Sequence, residues 1–407
     1  MLRKMKTTCL MAGALMAAVP GVTNAETAEL EQMRSEMAQM RAEMAQLKAD
    51  QQGDWMSDAR RAEIEGMIAD VFADANNRAT LLQEGALAGI DEKGKIFLMS
   101  ADGSFTAGFN GQIQTRYIWN NLNDRANESE SGFQIRRVKF GVKGKVGDGW
   151  SYEIKMATNR DSGNVDMEDA YIGYKINDSL SMKAGVKKLP FARQELVSSS
   201  RQVAVDRGLS TEFFTLGRSD MVEFTHKSDT IILTGALSDG ANNNWNDYND
   251  ADANDFAVTG RLDWMAIGDD WGAMKHEFGG VKEDALFFGV AGHYEVFEES
   301  AVPEDGFAWT ADVLYKTGPI GLTAAIFGNH TTNTGGTDTD QFGGYAQVAY
   351  DIGNDWDIFG RWEYIDDDDN AGAGTEPIQA VTFGVNKNFS KKVKFTADVI
   401  YAYAGDN

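Results

Sequence analysis

The strongest constraint on this chain is the alternation of apolar and charged side chains between Phe133 and Val186. Phe140, Val142 and Val146 fall on one parity, while Arg137, Lys139, Lys143 and Lys145 fall on the other. After Gly147-Asp148-Gly149, Tyr152, Ile154 and Met156 alternate with Glu153 and Lys155. Ala170, Ile172, Tyr174 and Ile176 then alternate with Asp169, Tyr171 and Lys175. Beyond Asn177-Asp178-Ser179, Leu180, Met182, Ala184 and Val186 alternate with Ser181, Lys183 and Lys187. A period of two is that of a β-strand, whose successive side chains point to opposite faces. The polar face here is basic, and tight turns alternate with longer loops. That is the pattern of a membrane β-barrel with apolar residues toward lipid and a charged lumen.

The rest of the 407 residues fits around this stretch. Residues 1–25 read as a signal peptide: Arg3, Lys4 and Lys6, an apolar run from Cys9 to Val19, and small residues ending at Ala25. Cys9 is the single cysteine, so a processed chain would carry no disulfide and no cysteine–metal site. In residues 26–52, Leu30, Met33, Met37, Met40, Met44 and Leu47 follow the spacing of a heptad seam and predict a short α-helical coiled coil. Residues 53–94 read as a second helical segment, with Ile64, Ile68, Val71 and Phe72 on one face, followed by a linker over 86–94. Residues 95–407 are the barrel domain.

Within the barrel, Phe105, Ala107, Phe109, Ile113, Tyr117 and Trp119 share one parity and Gln112, Gln114 and Arg116 the other. Strands resume at Met221 and recur to Tyr403, divided by Asn/Asp-rich loops and turns such as Thr317-Gly318-Pro319. Trp150, Trp264, Tyr350, Trp356, Trp362 and Tyr401 stand near strand ends, where aromatic girdles form. From Ser104 the pattern makes fifteen strands. Single-chain bacterial barrels have even numbers, so an all-β transmembrane antiparallel barrel of about sixteen strands is expected. The sixteenth is expected either beyond Asn407 or at Ile96 to Met99.

One segment interrupts the alternation. From Lys187 through Pro190, Ser198-Ser199-Ser200 and Asp206-Arg207 to Arg218, about thirty residues carry no strand pattern but many basic side chains. Long loops inside a regular domain are usually functional. This one is expected to fold inward as a constriction, with Phe191, Phe213 and Phe214 as anchors against the wall.

No catalytic constellation is present. His226, His276, His293 and His330 are scattered, and no P-loop or dinucleotide fingerprint occurs. Neither an enzyme, a cofactor nor a metal site is predicted. The net charge of −24 argues against nucleic-acid binding. The charge is uneven: Phe105–Ser228 holds 18 basic and 15 acidic residues, Asp229 onward 9 basic and 31 acidic. Inward cations cannot face lipid, where Lys or Arg at mid-plane costs roughly 2–4 kcal/mol. In a watery pore they raise the local anion concentration. Pairing across strands with Glu153, Asp169 and Glu223 is the competing use of the same charges.

Gly132-Phe133-Gln134-Ile135-Arg136-Arg137-Val138-Lys139-Phe140-Gly141-Val142 resembles the second strand of the phosphate-selective porins O and P. So does Glu168-Asp169-Ala170-Tyr171-Ile172-Gly173-Tyr174. Gly185–Arg207 is similar to that family's strand-to-constriction region. The resemblance implies a trimeric, sixteen-stranded outer-membrane porin passing small anions passively. The family's basic lumen would fall on Arg116, Arg137, Lys139, Lys183 and Lys187. Arg193, Arg201 and Arg207 join them from the constriction segment.

The expected partners are small anionic solutes such as phosphate, outer-membrane lipid and lipopolysaccharide, and two further copies of the chain. The coiled coil would lie in the periplasm. The alternative is a structural envelope barrel that tethers this coiled coil and conducts without selectivity.

Overall fold

The computed structural model describes residues 7–9, 86–90, 96–122, 129–160, 162–242, 245, 256–297, 304–333, 338–367 and 377–404. The coiled coil at 26–52, the helical face at 64–72 and most of the signal segment lie outside these residues. The chain divides into two compact units. One comprises Met1–Met11, Ala88–Met99 and Gly103–Asn407, and holds the sheet; the other comprises Ala12–Leu87 and Ser100–Asp102.

The strands are β1 (Thr7–Cys9), β2 (Ala86–Ile90), β3 (Ile96–Ser100), β4 (Phe105–Leu122), β5 (Ser129–Val146), β6 (Trp150–Thr158), β7 (Val165–Lys175), β8 (Leu180–Lys188) and β9 (Arg218–Lys227). They continue as β10 (Ile231–Ser238), β11 (Phe256–Ile267), β12 (Ala285–Phe297), β13 (Glu304–Thr317), β14 (Ile320–Asn333), β15 (Thr339–Gly353), β16 (Trp356–Asp366), β17 (Ile378–Ser390) and β18 (Val393–Ala404). From β4 to β18 each strand pairs with the next in one sheet, and the order closes through β18-β2-β3-β4. The pairings from β4 onward are antiparallel.

The fifteen strands expected from Ser104 onward correspond to β4–β18, but the count of about sixteen needs correction. Three short strands complete the ring among the described residues. Ile96–Met99 does join the sheet: Phe97, Leu98 and Met99 pair with Gly108, Ala107 and Thr106. Ala86–Ile90, expected as linker, is a strand as well. At the opposite end of β4, Thr7–Cys9 of the predicted signal segment pairs with both β4 and β18.

Burial follows the inverse of a soluble protein. In β11, Phe256, Val258, Leu262 and Trp264 are exposed, while Ala257, Thr259, Arg261 and Asp263 are buried. The apolar set fits lipid, and the polar set is covered from inside. Aromatic pairs brace the outer face: Trp150 and Tyr174 at 4.7 Å between ring centroids, Trp264 and Phe288 at 5.6 Å. Turns use residues that tolerate left-handed backbone, as at Gly147 and Gly149 with φ of 57° and 79°.

What covers the inner face is the segment between β8 and β9. It contains two short helices, α1 (Arg193–Leu196) and α2 (Leu209–Phe214). Leu189, Phe191, Ala192 and Phe214 pack with Phe327, Tyr345 and Ile365 of the wall. Phe214 stacks on Phe327 at 5.4 Å. Phe191 and Phe214 therefore anchor the segment as expected. Phe213 does not, being 41 % exposed.

Candidate functional site: a charged lumen spanned by a loop

The strands deliver charge to the lumen by alternation, with two exceptions that matter. Between β4 and β5, Gln114 pairs with Arg137 while Thr115 pairs with Ile135, so Arg136 is an extra, bulged residue. Before it, Phe133 and Ile135 face outward; after it, Arg137 and Lys139 face inward, with Phe140 exposed to the outside. The bulge lets two consecutive arginines face the lumen. Between β6 and β7 the same device recurs: Lys155 pairs with Asp169 and Met156 with Met167, which leaves Glu168 as the extra residue. Glu168 and Asp169 then both reach inward.

These doublets organise the first wall. Asp206, from the loop, sits among three guanidiniums. Its carboxylate accepts from Arg116 Nη1 at 2.7 Å, Arg136 Nε at 2.8 Å and Arg137 Nη2 at 3.2 Å. Burial pushes the Asp206 carboxyl up, but the Arg136 and Arg116 charges outweigh it and hold it below its ordinary value. Lys139 meets Glu168 at 2.6 Å, and Lys155 meets Glu168 and Asp169 at 2.8 and 3.0 Å. Arg218 reaches Asp169 at 2.8 Å and Glu168 at 3.3 Å. Glu223 pairs closely with Lys187 and stands 3.7 Å from Lys183. Glu153 accepts from the Tyr171 hydroxyl at 2.7 Å.

The opposite wall is built differently. Arg193 of α1 contacts Asp312 at 2.5 Å and Asp263 at 3.7 Å, and Arg261 contacts the same two carboxylates at 2.8 and 2.6 Å. Arg361 pairs with Glu363 at 2.9 Å, and the Glu363 carboxylate accepts from the Ser210 N–H at 3.1 Å. Gly208 lies so close that a Cβ there would meet Glu363 Oε1 at 2.4 Å. Arg193, expected in the pore lining, is thus a buried loop anchor instead.

Backbone groups of the loop are held by β11, β17, β18 and a second inward segment. Asn386 donates to Val203 O at 2.9 Å, Asp398 accepts from Val205 N at 2.8 Å, and Arg261 donates to Phe191 O at 2.6 Å. Glu277, from the segment between β11 and β12, accepts from Gln194 and from Val203 N at 2.8 and 3.0 Å.

Of the eight residues expected in the site, Arg116, Arg137, Lys139, Lys183 and Lys187 lie together on the first wall. Arg207 bridges within the loop to Glu212 at 3.2 Å, and Arg201 is exposed in the short turn after α1. Sequence reasoning missed Arg136 as an inward charge, and Glu168, which pairs with Lys139, Lys155 and Arg218. For Arg136 and Glu168 a signal existed. A charged doublet in a membrane strand must send one member to lipid unless a bulge intervenes. Arg218 closes the basic segment expected to fold inward but was not singled out within it, and Glu277 carried no comparable signal.

Residues 107–268 match the phosphate-selective porin O and P family. The matched segment begins in β4, ends just after β11 and takes in both bulges and the loop. The porin fold is also that of solved barrels. The anion-selective porin from Comamonas acidovorans has a TM-score of 0.52 at 11% identity, covering 74% of this chain and 99% of that one. OmpF of Salmonella typhi, in complex with daunomycin, has a TM-score of 0.50 at 10% identity, covering 78% and 100%. At such identities the likeness is one of fold. No curated protein matches the chain. The porin match and the closed antiparallel sheet point to an outer-membrane channel rather than an enzyme.

Proposed function

We propose that the protein is a passive outer-membrane channel that favours small hydrophilic anions, phosphate and carboxylates among them. The observation that carries this reading is the charge balance of the first wall. Arg116, Arg136, Arg137, Lys139, Lys155, Lys183, Lys187 and Arg218 supply eight cations. Asp206, Glu168, Asp169, Glu223 and Glu153 supply five anions, so three positive charges are left over. An unbalanced cationic surface beside a narrowing concentrates anions and lowers their entry barrier.

Every named cation of this wall except Arg218 comes from β4–β8, and all lie inside the family match. In the same reading three copies of the chain assemble in the outer membrane, among lipid and lipopolysaccharide. The heptad seam of Leu30–Leu47 would hold them together in the periplasm.

Planar-bilayer recording of the purified protein in a potassium chloride gradient tests the proposal. Discrete conductance steps with a reversal potential displaced toward chloride are expected. An absence of channels would refute the pore; a displacement toward potassium would refute the anion preference and leave the pore standing.

A further inference from the structure

The Arg116–Arg136–Arg137 cluster is built like a receptor for an oxyanion, and the loop itself fills it. Three guanidiniums converge on one carboxylate, with both Asp206 oxygens engaged. Arg116 is steadied by a second bond from its Nε to Gln134 Oε1 at 2.9 Å. Arg137 is 8% exposed, and its Nε is buried with no hydrogen-bond partner, so the cluster holds more donor capacity than Asp206 uses. The charge is also in excess, three cations against one anion. Planar guanidiniums suit bidentate recognition of carboxylate and phosphate.

Asp206 is not welded in place. Its side chain remains 28% exposed, and it sits on a loop backbone that Arg361 and Asp398 hold independently, through Asp206 O at 3.5 Å and Val205 N at 2.8 Å. The carboxylate can therefore swing away while the loop stays docked.

We infer that Asp206 is the specificity-determining residue of this lumen: its carboxylate is a resident competitor in an oxyanion-binding site formed by Arg116, Arg136 and Arg137, and a permeating oxyanion binds there by exchanging with it. The inference rests on the anion-channel reading and deepens it. A tethered competitor keeps the three cations paired and ordered when no solute is present. It also weakens solute binding enough for release, which conduction requires.

The test is calorimetric titration of inorganic phosphate into folded, detergent-solubilised wild-type protein, Asp206→Asn and Asp206→Asn/Arg136→Gln, with bilayer recording of the same samples. Heat-modifiable electrophoretic mobility selects folded barrel in each case. Asp206→Asn is expected to bind phosphate about tenfold more tightly than wild type, the scale of one charge-assisted contact. The added Arg136→Gln change should cancel most of that gain. In the bilayer, phosphate should block Asp206→Asn at correspondingly lower concentration.

Equal affinity in wild type and Asp206→Asn would overturn the inference, as would a gain that survives loss of Arg136. Should Asp206→Asn not fold, Asp206→Glu is read in its place. Its longer side chain reaches the same three guanidiniums less well, so tighter phosphate binding is again expected, and unchanged binding again overturns the inference. Because the binding measurement needs no conduction, a protein that gains affinity but forms no channel would refute the function proposed above and not the site.

Discussion

The wall of β4–β9 and the wall of β11–β16 both turn arginines and carboxylates inward, yet they differ in balance and in burial. The first carries eight cations against five anions, and several of its members are partly exposed, such as Lys183 at 36% of its side chain. The second pairs Arg193, Arg261 and Arg361 with Asp263, Asp312 and Glu363, three against three, with every side chain at 6% exposure or less. Balanced, buried charge fastens the loop, because any uncompensated member would cost too much. Unbalanced, partly exposed charge is what the proposed anion channel would use to act on solutes. In that proposal the same residue types serve as fasteners or as bait according to whether their neighbours cancel them.

The largest effect is expected from unbalancing the second wall. Asp312→Ala leaves Arg193 and Arg261 sharing one carboxylate, and removing one partner of a buried ion pair costs about 3–5 kcal/mol. Urea unfolding of the barrel in detergent should show this loss. Single-channel conductance should rise as the α1 end of the loop comes free. A variant as stable as wild type would mean that the second wall is no fastener.

The bulge gives the next contrast. Deleting Arg136 removes the extra residue but keeps every other β5 side chain on its own face, so assembly should survive with a weaker anion preference. Deleting Lys139 forces either Arg137, or Lys143 and Lys145, toward lipid, at roughly 2–4 kcal/mol for a mid-plane Arg or Lys. The yield of folded barrel in the outer membrane should separate the two deletions, the second falling well below the first.

Lys183→Glu tests the first wall alone. It lowers the cationic excess from three to one, and the reversal potential should move toward cations. Stability should change by less than about 1 kcal/mol, as for a half-exposed position. Lys187 is a poorer choice, since it is the closer and less exposed of the two lysines beside Glu223, at 16% of its side chain against 36% for Lys183.

The smallest effect is one of pH. Asp206 is held below its ordinary value of 3.8 by the arginines, against burial. Its folded value is thus below its unfolded value, so its hold on Arg116, Arg136 and Arg137 is complete above about pH 4 and is lost as pH falls through the folded value. Channel noise should stay constant from neutrality to pH 5 and increase in stronger acid. In Asp206→Asn that acid step should be missing.

Much of this was legible in the sequence, for a physical reason. A membrane strand has no freedom to place a charge outward, so alternation fixes both the element and the face, and β4–β18 follow from it. The same rule marked Arg116, Arg137, Lys139, Lys183 and Lys187 as inward. It failed at Arg136 and Glu168 because a bulge shifts parity, and each doublet was read as if the alternation continued. The anchors were out of reach for another reason. Arg193 reads as one more basic loop residue until Asp312 appears beside it, 119 positions away. Nothing local in the chain announces such a partner. The linker expected at 86–94 failed differently, since five residues taken up by an existing sheet edge need little strand propensity of their own.

The ties between the loop and β17 and β18 have a temporal meaning. Val205 bonds Asp398 across 193 residues of sequence, and Val203 bonds Asn386 across 183. Contacts of such separation form late, because the intervening chain must be ordered first. During biogenesis, then, the narrowing is among the last things to exist. Until the closing strands arrive, the loop can have its arginine and carboxylate anchors on the earlier strands but lacks the two ties that fix Val203 and Val205.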